Sequence, residues 1–275
     1  MELKTNEEGR GEISHIHFRK AKAFLLKAKE AVGDLTLAEA TKSSIAEYLD
    51  SYDVAAKTWN RNHGYLNAFF NYCVSKNWMK SNPVSRIEKR KNRRRRSDNQ
   101  TLSAIDAQKL MSFVEVYSGK KKNKKQGFLV TYFALCLFAG IRPDFKAGEI
   151  CRIEDGDVNF DTDTLMVRNE TSKTGEKRRV SVQPNLRSWL QKYPIKEYPI
   201  IPVGIEWHLR KIRKQFNLTH DVLRHTFASM HVGKFKSLGD TALQSGNSES
   251  IIRQHYLDVV SQEEANKFWR ICQVK

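Results

Sequence analysis

The sequence has few of the residues that form disulfides, hold metals or bind nucleotides. Its 275 residues include four scattered cysteines without a Cys-x-x-Cys pair: Cys73, Cys136, Cys151 and Cys272. Such usage favours reduced thiols in the cytosol over disulfides. No two of the eight histidines are four residues apart, the spacing of a helical zinc site, and no glycine-rich phosphate loop is present. We therefore expect neither a metal nor a cofactor.

Long apolar segments are also absent. The longest run, FLVTYFALCLFAGI at residues 128–141, fits a buried core helix and is too short to span a bilayer. The N-terminal stretch MELKTNEEGRGE is polar and of mixed charge, unlike a signal peptide. The sequence therefore predicts a cytoplasmic protein with no membrane partner.

Positive charge, by contrast, is abundant. There are 48 Lys and Arg against 31 Asp and Glu, which gives a formal net charge of +17 and a pI of about 9.7. A chain this basic usually meets a polyanion; nucleic acid is the first candidate and an anionic membrane surface the second. With 40% hydrophobic residues and five Trp, the chain can bury a core and is not a disordered tail.

The N-terminal third has helical periodicity. After a polar tail at 1–12, residues 13–87 predict a helical domain with helices near 14–31, 36–49 and 55–77. Pro83 should end this domain's helical pattern and keep Asn82 extended.

A basic linker is predicted at residues 88–100. Seven of the eight residues at 89–96 are basic, and we interpret them as contacts to phosphates: Lys89, Arg90, Lys91, Arg93, Arg94, Arg95 and Arg96. A nuclear-localisation signal and a merely solvated linker are the alternatives. A second basic run, GKKKNKK, is typical of a loop that need not touch DNA.

Residues 101–275 predict a second domain. Thr101 or Ser103 should cap a helix over 103–117, and the apolar helix ends at AGIRPD. Apolar and polar residues alternate, as in β-strands, in the segments TLMVRN and KRRVSVQ. These segments flank ETSKTGE, which indicates a β-hairpin. Helices follow Pro184, including 219–231 and 248–259. The predicted fold class is mainly α with a small β-hairpin (α+β): a helical N-terminal domain and a mixed, mostly helical second domain.

Four residues in this second domain each have an ordinary explanation. Arg142 can offset the dipole of the apolar helix, and Lys173 can be an exposed turn lysine. Arg224 can pair with Asp221 one helical turn away, and Tyr256 can be a core residue.

Taken in order, however, these residues resemble a known family. Five features in this order resemble the tyrosine recombinase (phage integrase) family. They are AGIR at a helix end, a lysine in a glycine-containing hairpin, LRHTFAS, GNS and HY. The resemblance extends over nearly the whole chain. It implies a helical, SAM-like core-binding domain that binds DNA, followed by an integrase-type catalytic domain.

The resemblance implies a defined chemistry. Tyr256 would be the nucleophile that becomes joined to a DNA 3′ phosphate, without ATP or metal. Arg142 and Arg224 would clamp the non-bridging oxygens with forked donors that stay protonated. Lys173 would protonate the departing 5′ oxygen.

The sequence also departs from the family pattern. The family's His-x-x-Arg slot holds Asp221, with His220 one place earlier, so either residue is a candidate for the proton-transfer role. Asn247 stands where a His or Trp is usual and can donate a hydrogen bond but cannot shuttle a proton. His225 matches the family and can equally be a structural histidine. His255, beside Tyr256, is a further candidate.

The resemblance thus implies a site-specific recombinase or integrase of a phage, mobile element or bacterial chromosome, associated with the nucleoid. Its partners would be double-stranded DNA sites, further copies of itself in a tetramer on DNA, and accessory DNA-bending proteins. A type IB topoisomerase-like enzyme and a DNA-binding protein that has lost its chemistry are the alternatives. Phe268, Trp269 and Ile271 near the C-terminus would dock on a neighbouring subunit or pack on their own domain.

Overall fold

The structure is a computed structural model that describes residues 15–32, 36–91, 100–119, 125–168, 177–257 and 259–272. The chain divides into two compact units, residues 1–95 and 96–275. No helix within these described ranges is long and apolar enough to cross a membrane.

The smaller unit is helical. It contains α1 (His15–Val32), α2 (Lys42–Asp50) and α3 (Ala56–Ser75). Thr41 caps α2, because its hydroxyl accepts a hydrogen bond from the Ser44 N–H, so the predicted helix at 36–49 is a short 3-10 turn at Leu37–Glu39 followed by α2. One apolar cluster fills the space between the helices: Ala21, Phe24, Ala28, Ile45, Leu49, Trp59, Tyr65, Leu66, Phe70 and Val84.

α3 ends at Ser75, before the predicted stop at Pro83, whereas the extended backbone predicted for Asn82 is present. Asn82 is extended, with φ −84° and ψ 115°, and its side-chain oxygen accepts from the Val84 N–H at 2.8 Å. Its amide nitrogen donates to Asn67 and Asn71, both on α3. A 3-10 turn follows at Pro83–Arg86.

The larger unit is built around a buried helix. Its helices are α4 (Ala104–Val116), α5 (Val130–Phe138), α6 (Pro184–Lys192), α7 (Ile205–Gln215), α8 (Val222–Phe235), α9 (Leu238–Ser245), α10 (Glu249–His255) and α11 (Gln262–Phe268). All nine residues of α5 are buried, as its unbroken apolar sequence predicts. It packs against α4, α6 and α8.

Gly140 allows α5 and α8 to approach closely. Its φ is +64°, and a Cβ built on it would lie 2.3 Å from Cδ1 of Phe227 on α8. Glycine is therefore required both for the left-handed backbone and for the packing. This contact brings the chain that follows α5, including Arg142, to the start of α8.

A small antiparallel sheet flanks the helices. Its order is β1 (Val158–Asn159), β2 (Thr164–Val167) and β3 (Arg178–Ser181), with Val167 opposite Arg178. The predicted strand pair is present and gains a third short strand; its connecting segment at 169–176 lies outside the described residues. The fold is mainly helical with a small sheet, as the sequence predicts.

The C-terminal helix packs on its own unit. α11 contacts α4 and α8, and Phe268, Trp269 and Ile271 are buried in the main core. The Nε1–H of Trp269 donates to the Met230 carbonyl at 3.1 Å. These residues were predicted either to dock on a neighbouring subunit or to pack on their own domain, and in the structure they pack on their own domain.

Candidate functional site: an arginine cluster beside a buried tyrosine

Glu149 organises the site in the larger unit. It begins the 3-10 turn Glu149–Arg152 and is 2% exposed. Its carboxylate accepts from the backbone N–H of Arg142 at 2.7 Å and from the Arg142 guanidinium at 3.3 Å. Residues 143–148, between Arg142 and this acid, form a loop, and the carboxylate bonds back to Arg142. Arg142 is thereby fixed immediately after α5.

Arg178 on β3 is the strongest partner of Glu149, and the sequence analysis did not single it out. Its Nη1 and Nη2 donate to the two carboxylate oxygens at 2.9 and 2.7 Å, a bidentate pair. Burial opposes ionisation of Glu149, but these bonds and the charge of Arg178 hold the pKa of Glu149 below its ordinary value. A sequence signal existed: Arg178 alternates in phase with the inward-facing Val180 and Val182.

Three consecutive carbonyl oxygens at the end of α9 bind three arginines; we call Gln244, Ser245 and Gly246 the carbonyl cradle. Arg178 Nε donates to Gln244 at 3.0 Å, Arg224 to Ser245, and Arg142 Nη2 to Gly246 at 3.1 Å. The C-terminal end of a helix attracts cations, so the cradle suits guanidinium groups.

Gly246 completes the cradle by ending α9. Its φ is +59°, and an added Cβ would lie 3.3 Å from Arg178 Nη1. Three guanidiniums and one carboxylate meet at the cradle, which leaves an excess of positive charge. The cluster can attract an anionic group.

Arg224 lies at the centre of this cluster. It is 5% exposed; its Nη1 donates to the Gly140 carbonyl and lies 3.6 Å from Glu149. Burial, with the charges of Arg142 and Arg178, lowers the pKa of Arg224 to about 10, while Glu149 opposes the shift. The group therefore stays protonated at neutral pH.

Tyr256 follows α10 and is buried. Its side chain, 4% exposed, packs against Ala228, Val232 and Ile252. Its hydroxyl lies 2.5 Å from Nδ1 of His225, the residue directly after Arg224. Burial raises the pKa of Tyr256, and the positive charge of Arg224 partly offsets this.

His220, Asp221 and Asn247 lie around the start of α8 in different environments. His220 Nδ1 is 2.8 Å from an Asp221 carboxylate oxygen; the His220 side chain is largely exposed and that of Asp221 is half-buried. Asn247 Oδ1 accepts from Arg224 Nη2 at 3.4 Å. The structure therefore brings Asn247 to the arginines and leaves His220 towards solvent.

The start of α8 differs from the prediction. The helix begins at Val222 and not at 219, and Asp221 precedes it without capping it through its side chain. The reason is tertiary: the side chain of Gln100 accepts from the Thr219 N–H at 2.9 Å and donates to the Asn217 carbonyl at 3.0 Å. These bonds hold residues 217–219 in a loop.

Several predicted residues lie outside the described ranges. Lys173 does, and so do four of the linker arginines: Arg93, Arg94, Arg95 and Arg96. Lys89 and Lys91 are exposed. Arg90 pairs with Asp50 at 2.8 Å and lies over the Trp59 ring at 4.8 Å, so its guanidinium is bound within the smaller unit.

A buried histidine beneath the site connects α8, α9 and β3. His231 Nδ1 lies 2.7 Å from the Thr241 hydroxyl, which itself donates to Ser237. Its Nε2 faces the Gln244 amide nitrogen at 3.2 Å, and Gln244 accepts from the Ser181 N–H. This network assigns the neutral tautomer with the proton on Nδ1. Burial lowers the pKa of His231 to about 4, although Asp240 opposes the shift.

This pKa predicts a stability change with pH. Between about pH 6.5 and 4 the unfolded His231 binds a proton and the folded one does not, so stability falls with falling pH by about 3 kcal/mol. Urea unfolding from pH 7 to 4 would measure it. His231→Gln should be less stable than the wild type at pH 7, and its stability should fall less steeply with falling pH. Equal slopes for wild type and His231→Gln would contradict this assignment.

No metal site is evident in the part of the chain that the structure describes. Within it, no three His, Cys, Asp or Glu side chains form a group that could hold an ion.

Comparisons with known proteins agree with this architecture. No family model matches the sequence. A tyrosine recombinase of Thermosipho africanus (strain TCF52B) is 24% identical over 268 residues, which is 92% of this chain and 84% of the relative.

Solved structures share the fold. A lambda integrase dimer bound to a COC′ core site superposes with a TM-score of 0.72 at 18% identity, over 94% of each chain. A Tn1549 transposon integrase in complex with a circular intermediate DNA has a TM-score of 0.67 at 15% identity, over 95% of each chain. A lambda integrase tetramer bound to a Holliday junction has a TM-score of 0.68 at 18% identity, over 90% of this chain and 75% of the other.

The class defined by these features is an integrase-like fold, mainly helical with a three-stranded sheet. In sequence the chain is similar to a tyrosine recombinase over 92% of its length, and in fold it is similar to the lambda and Tn1549 integrases.

Proposed function

We propose that the protein is a site-specific DNA recombinase that cleaves and rejoins DNA through a 3′-phosphotyrosyl intermediate. One observation carries the proposal. Arg142 and Arg224 are held together by Glu149 and the carbonyl cradle, and the residue after Arg224 contacts the hydroxyl of a buried tyrosine, Tyr256. Side chains far apart in the sequence thus form a positive pocket beside a nucleophile.

The proposed role of each site residue follows from its charge and from the atoms it can contact. A phosphodiester under attack gains negative charge on its non-bridging oxygens, and Arg142 and Arg224 each keep N–H donors beyond those bound to the cradle and Glu149. With its oxygen bonded to Arg224, the Asn247 amide can turn its NH2 group to the same phosphate. Tyr256 attacks phosphorus, and its oxygen becomes bonded to the 3′ phosphate.

Two parts of the proposal come from the sequence and the family. Lys173 donates the proton that the departing 5′ oxygen needs, a role assigned by its place in the predicted hairpin. The exposed Lys89 and Lys91, with the linker arginines, bind backbone phosphates. Lambda integrase forms a dimer on a core site and a tetramer on a Holliday junction, and we extend this assembly on DNA to the present chain.

Covalent trapping tests the proposal. Because the DNA site is unidentified, the probe is a random-sequence duplex library enriched for binding to the Tyr256→Phe variant. Enriched duplexes are then nicked near each candidate position, so that cleavage releases a short strand and traps the adduct.

We expect wild-type protein to give an SDS-resistant protein–DNA adduct and the Tyr256→Phe variant to give none while it binds equally well. The attacking oxygen is absent from the variant, so the loss should be complete. Phe keeps the ring packing, and Tyr198→Phe is a control at a tyrosine away from the arginine cluster. Tight, specific binding without an adduct would identify a DNA-binding protein that lacks the chemistry.

A further inference from the structure

His225 is the side chain in contact with the tyrosine hydroxyl, and the proposed function does not yet use it. The Nδ1···Oη distance is 2.5 Å, and the two ring centres are 5.6 Å apart with an angle of 32° between the planes. His225 lies in the first turns of α8, and its backbone N–H donates to the Asp221 carbonyl at 2.9 Å. Its position is therefore fixed by the same helix that holds Arg224.

On the basis of the proposed function, we infer that His225 accepts the proton of the Tyr256 hydroxyl as that oxygen attacks the DNA phosphate. The other polar groups near the start of α8 are less suited to this task. His220 is bonded to Asp221 and directed to solvent, and an asparagine such as Asn247 cannot take a proton near neutral pH.

The groups that face His225 support the assignment. These are Asp221 and Arg224, just before and within α8, and His255 and Tyr256 at the end of α10. Burial, together with the charges of Arg224 and His255, lowers the pKa of His225, while the Asp221 carboxylate opposes this. The imidazole is therefore neutral at pH 7. With its proton on Nε2, it presents the Nδ1 lone pair to the Tyr256 O–H.

Each proton that moves in the cleavage step has a donor and an acceptor. The Tyr256 O–H bond breaks and its proton moves to Nδ1 of His225, while the tyrosine oxygen forms a bond to phosphorus. The bond from phosphorus to the 5′ oxygen breaks, and that oxygen takes its proton from Lys173. In the rejoining step both transfers reverse, and imidazolium His225 returns the proton to the tyrosine oxygen.

Asp221 acquires a role in this scheme. It occupies the slot where the family usually has a histidine, and its negative charge favours the protonated form of His225. The carboxylate would thus stabilise the imidazolium formed during attack. Asp221 is a positioning and electrostatic residue here, and the proton acceptor is His225.

The test uses two nicked duplexes that carry the selected site, one ordinary and one with sulfur in place of the bridging 5′ oxygen. Sulfur departs without a proton, so this substrate removes the need for a general acid and keeps the need for a base. Single-turnover adduct formation is measured from pH 5 to 9 for the full chain, with DNA affinity measured in parallel. His225→Asn keeps a polar atom near the Nδ1 position.

We expect His225→Asn to form the adduct about 10²–10⁴-fold more slowly with unchanged DNA affinity. The sulfur substrate should not restore its rate, whereas it should restore Lys173→Ala. The wild-type rate should rise with pH to a plateau, with a midpoint below the ordinary histidine pKa of about 6.5. Asp221→Asn should move this midpoint to lower pH. Arg253→Lys, at an exposed residue on α10 that pairs with Glu249, is the control and should retain its rate within a few fold.

Several results would overturn the inference. One is a His225→Asn rate within threefold of the wild-type rate. Another is a rate faster than wild type, which would mean that His225 restrains the tyrosine. A third is restoration of the His225→Asn rate by the sulfur substrate. An unchanged midpoint of the pH–rate profile in Asp221→Asn would also overturn the inference. This variant provides the test if His225→Asn fails to fold. Absence of an adduct from wild-type protein would instead refute the proposed function, so the two failures are distinguishable.

Discussion

Replacing Glu149 with glutamine should destabilise the larger unit by about 3–5 kcal/mol. The substitution keeps the shape of the side chain but removes the charge that pairs with Arg178, which is 7% exposed at its side chain. A buried guanidinium would then lack its counter-ion, and Arg224 would lose the same carboxylate at 3.6 Å. Since the pKa of Glu149 is lowered in the folded protein, its contribution is fully present above the unfolded pKa and is lost as pH falls through the folded value.

Urea unfolding at pH 7 measures this change. Trp189 and Trp269 are buried in the core of the larger unit, so tryptophan fluorescence reports its unfolding. Glu154→Gln is the matched control, because Glu154 is 74% exposed and meets Arg168 at 3.4 Å on the surface. It should change stability by no more than about 1 kcal/mol. Equal midpoints for the two variants would show that Glu149 does not hold the arginines together.

Arg224→Lys should slow formation of the covalent adduct by about 10²–10³-fold. Lysine keeps the charge but presents one compact ammonium instead of a planar fork. Its three N–H donors come from one nitrogen, whereas Arg224 reaches the Gly140 carbonyl and the cradle through two separate nitrogens. DNA affinity should change far less than the rate, since many other basic residues contribute to it.

The measurement compares single-turnover adduct formation and DNA binding on the selected site. Arg253→Lys is the control, because Arg253 lies on α10 near Tyr256, is 62% exposed and pairs with Glu249. Its adduct rate should match that of the wild type. A similar rate for Arg224→Lys would mean that charge alone suffices and that the forked geometry is not used.

Periodicity predicted most of the fold. The apolar run at 128–141 gave a helix whose buried residues form the centre of the larger unit, and the alternating segments gave the paired strands β2 and β3. Both signals are local, because an unbroken apolar run and a strict alternation of apolar and polar residues can each be recognised in consecutive residues. The start of α8 was wrong because a distant side chain, Gln100, holds the preceding residues out of the helix.

The candidate site was predictable only in part. Arg142, Arg224 and Tyr256 stand in short segments with a recognisable order, so their residue types could be singled out. Arg178 lies in a run of basic residues. Only its inward-facing position in the alternating pattern of β3 distinguishes it from its neighbours. The contact between His225 and Tyr256 depends on how α8 meets the end of α10, which neither segment encodes alone.

The carbonyl cradle has a consequence for the thermodynamics of binding. A free arginine side chain has about 2 kcal/mol of rotamer entropy to lose when it is immobilised. Arg142, Arg178 and Arg224 are already immobilised by consecutive carbonyls and by Glu149. Folding has therefore already removed their disorder, and a phosphate that enters the cluster meets donors that need little further ordering. Affinity at this point should be limited by removal of water from the phosphate, while ordering of the protein contributes little.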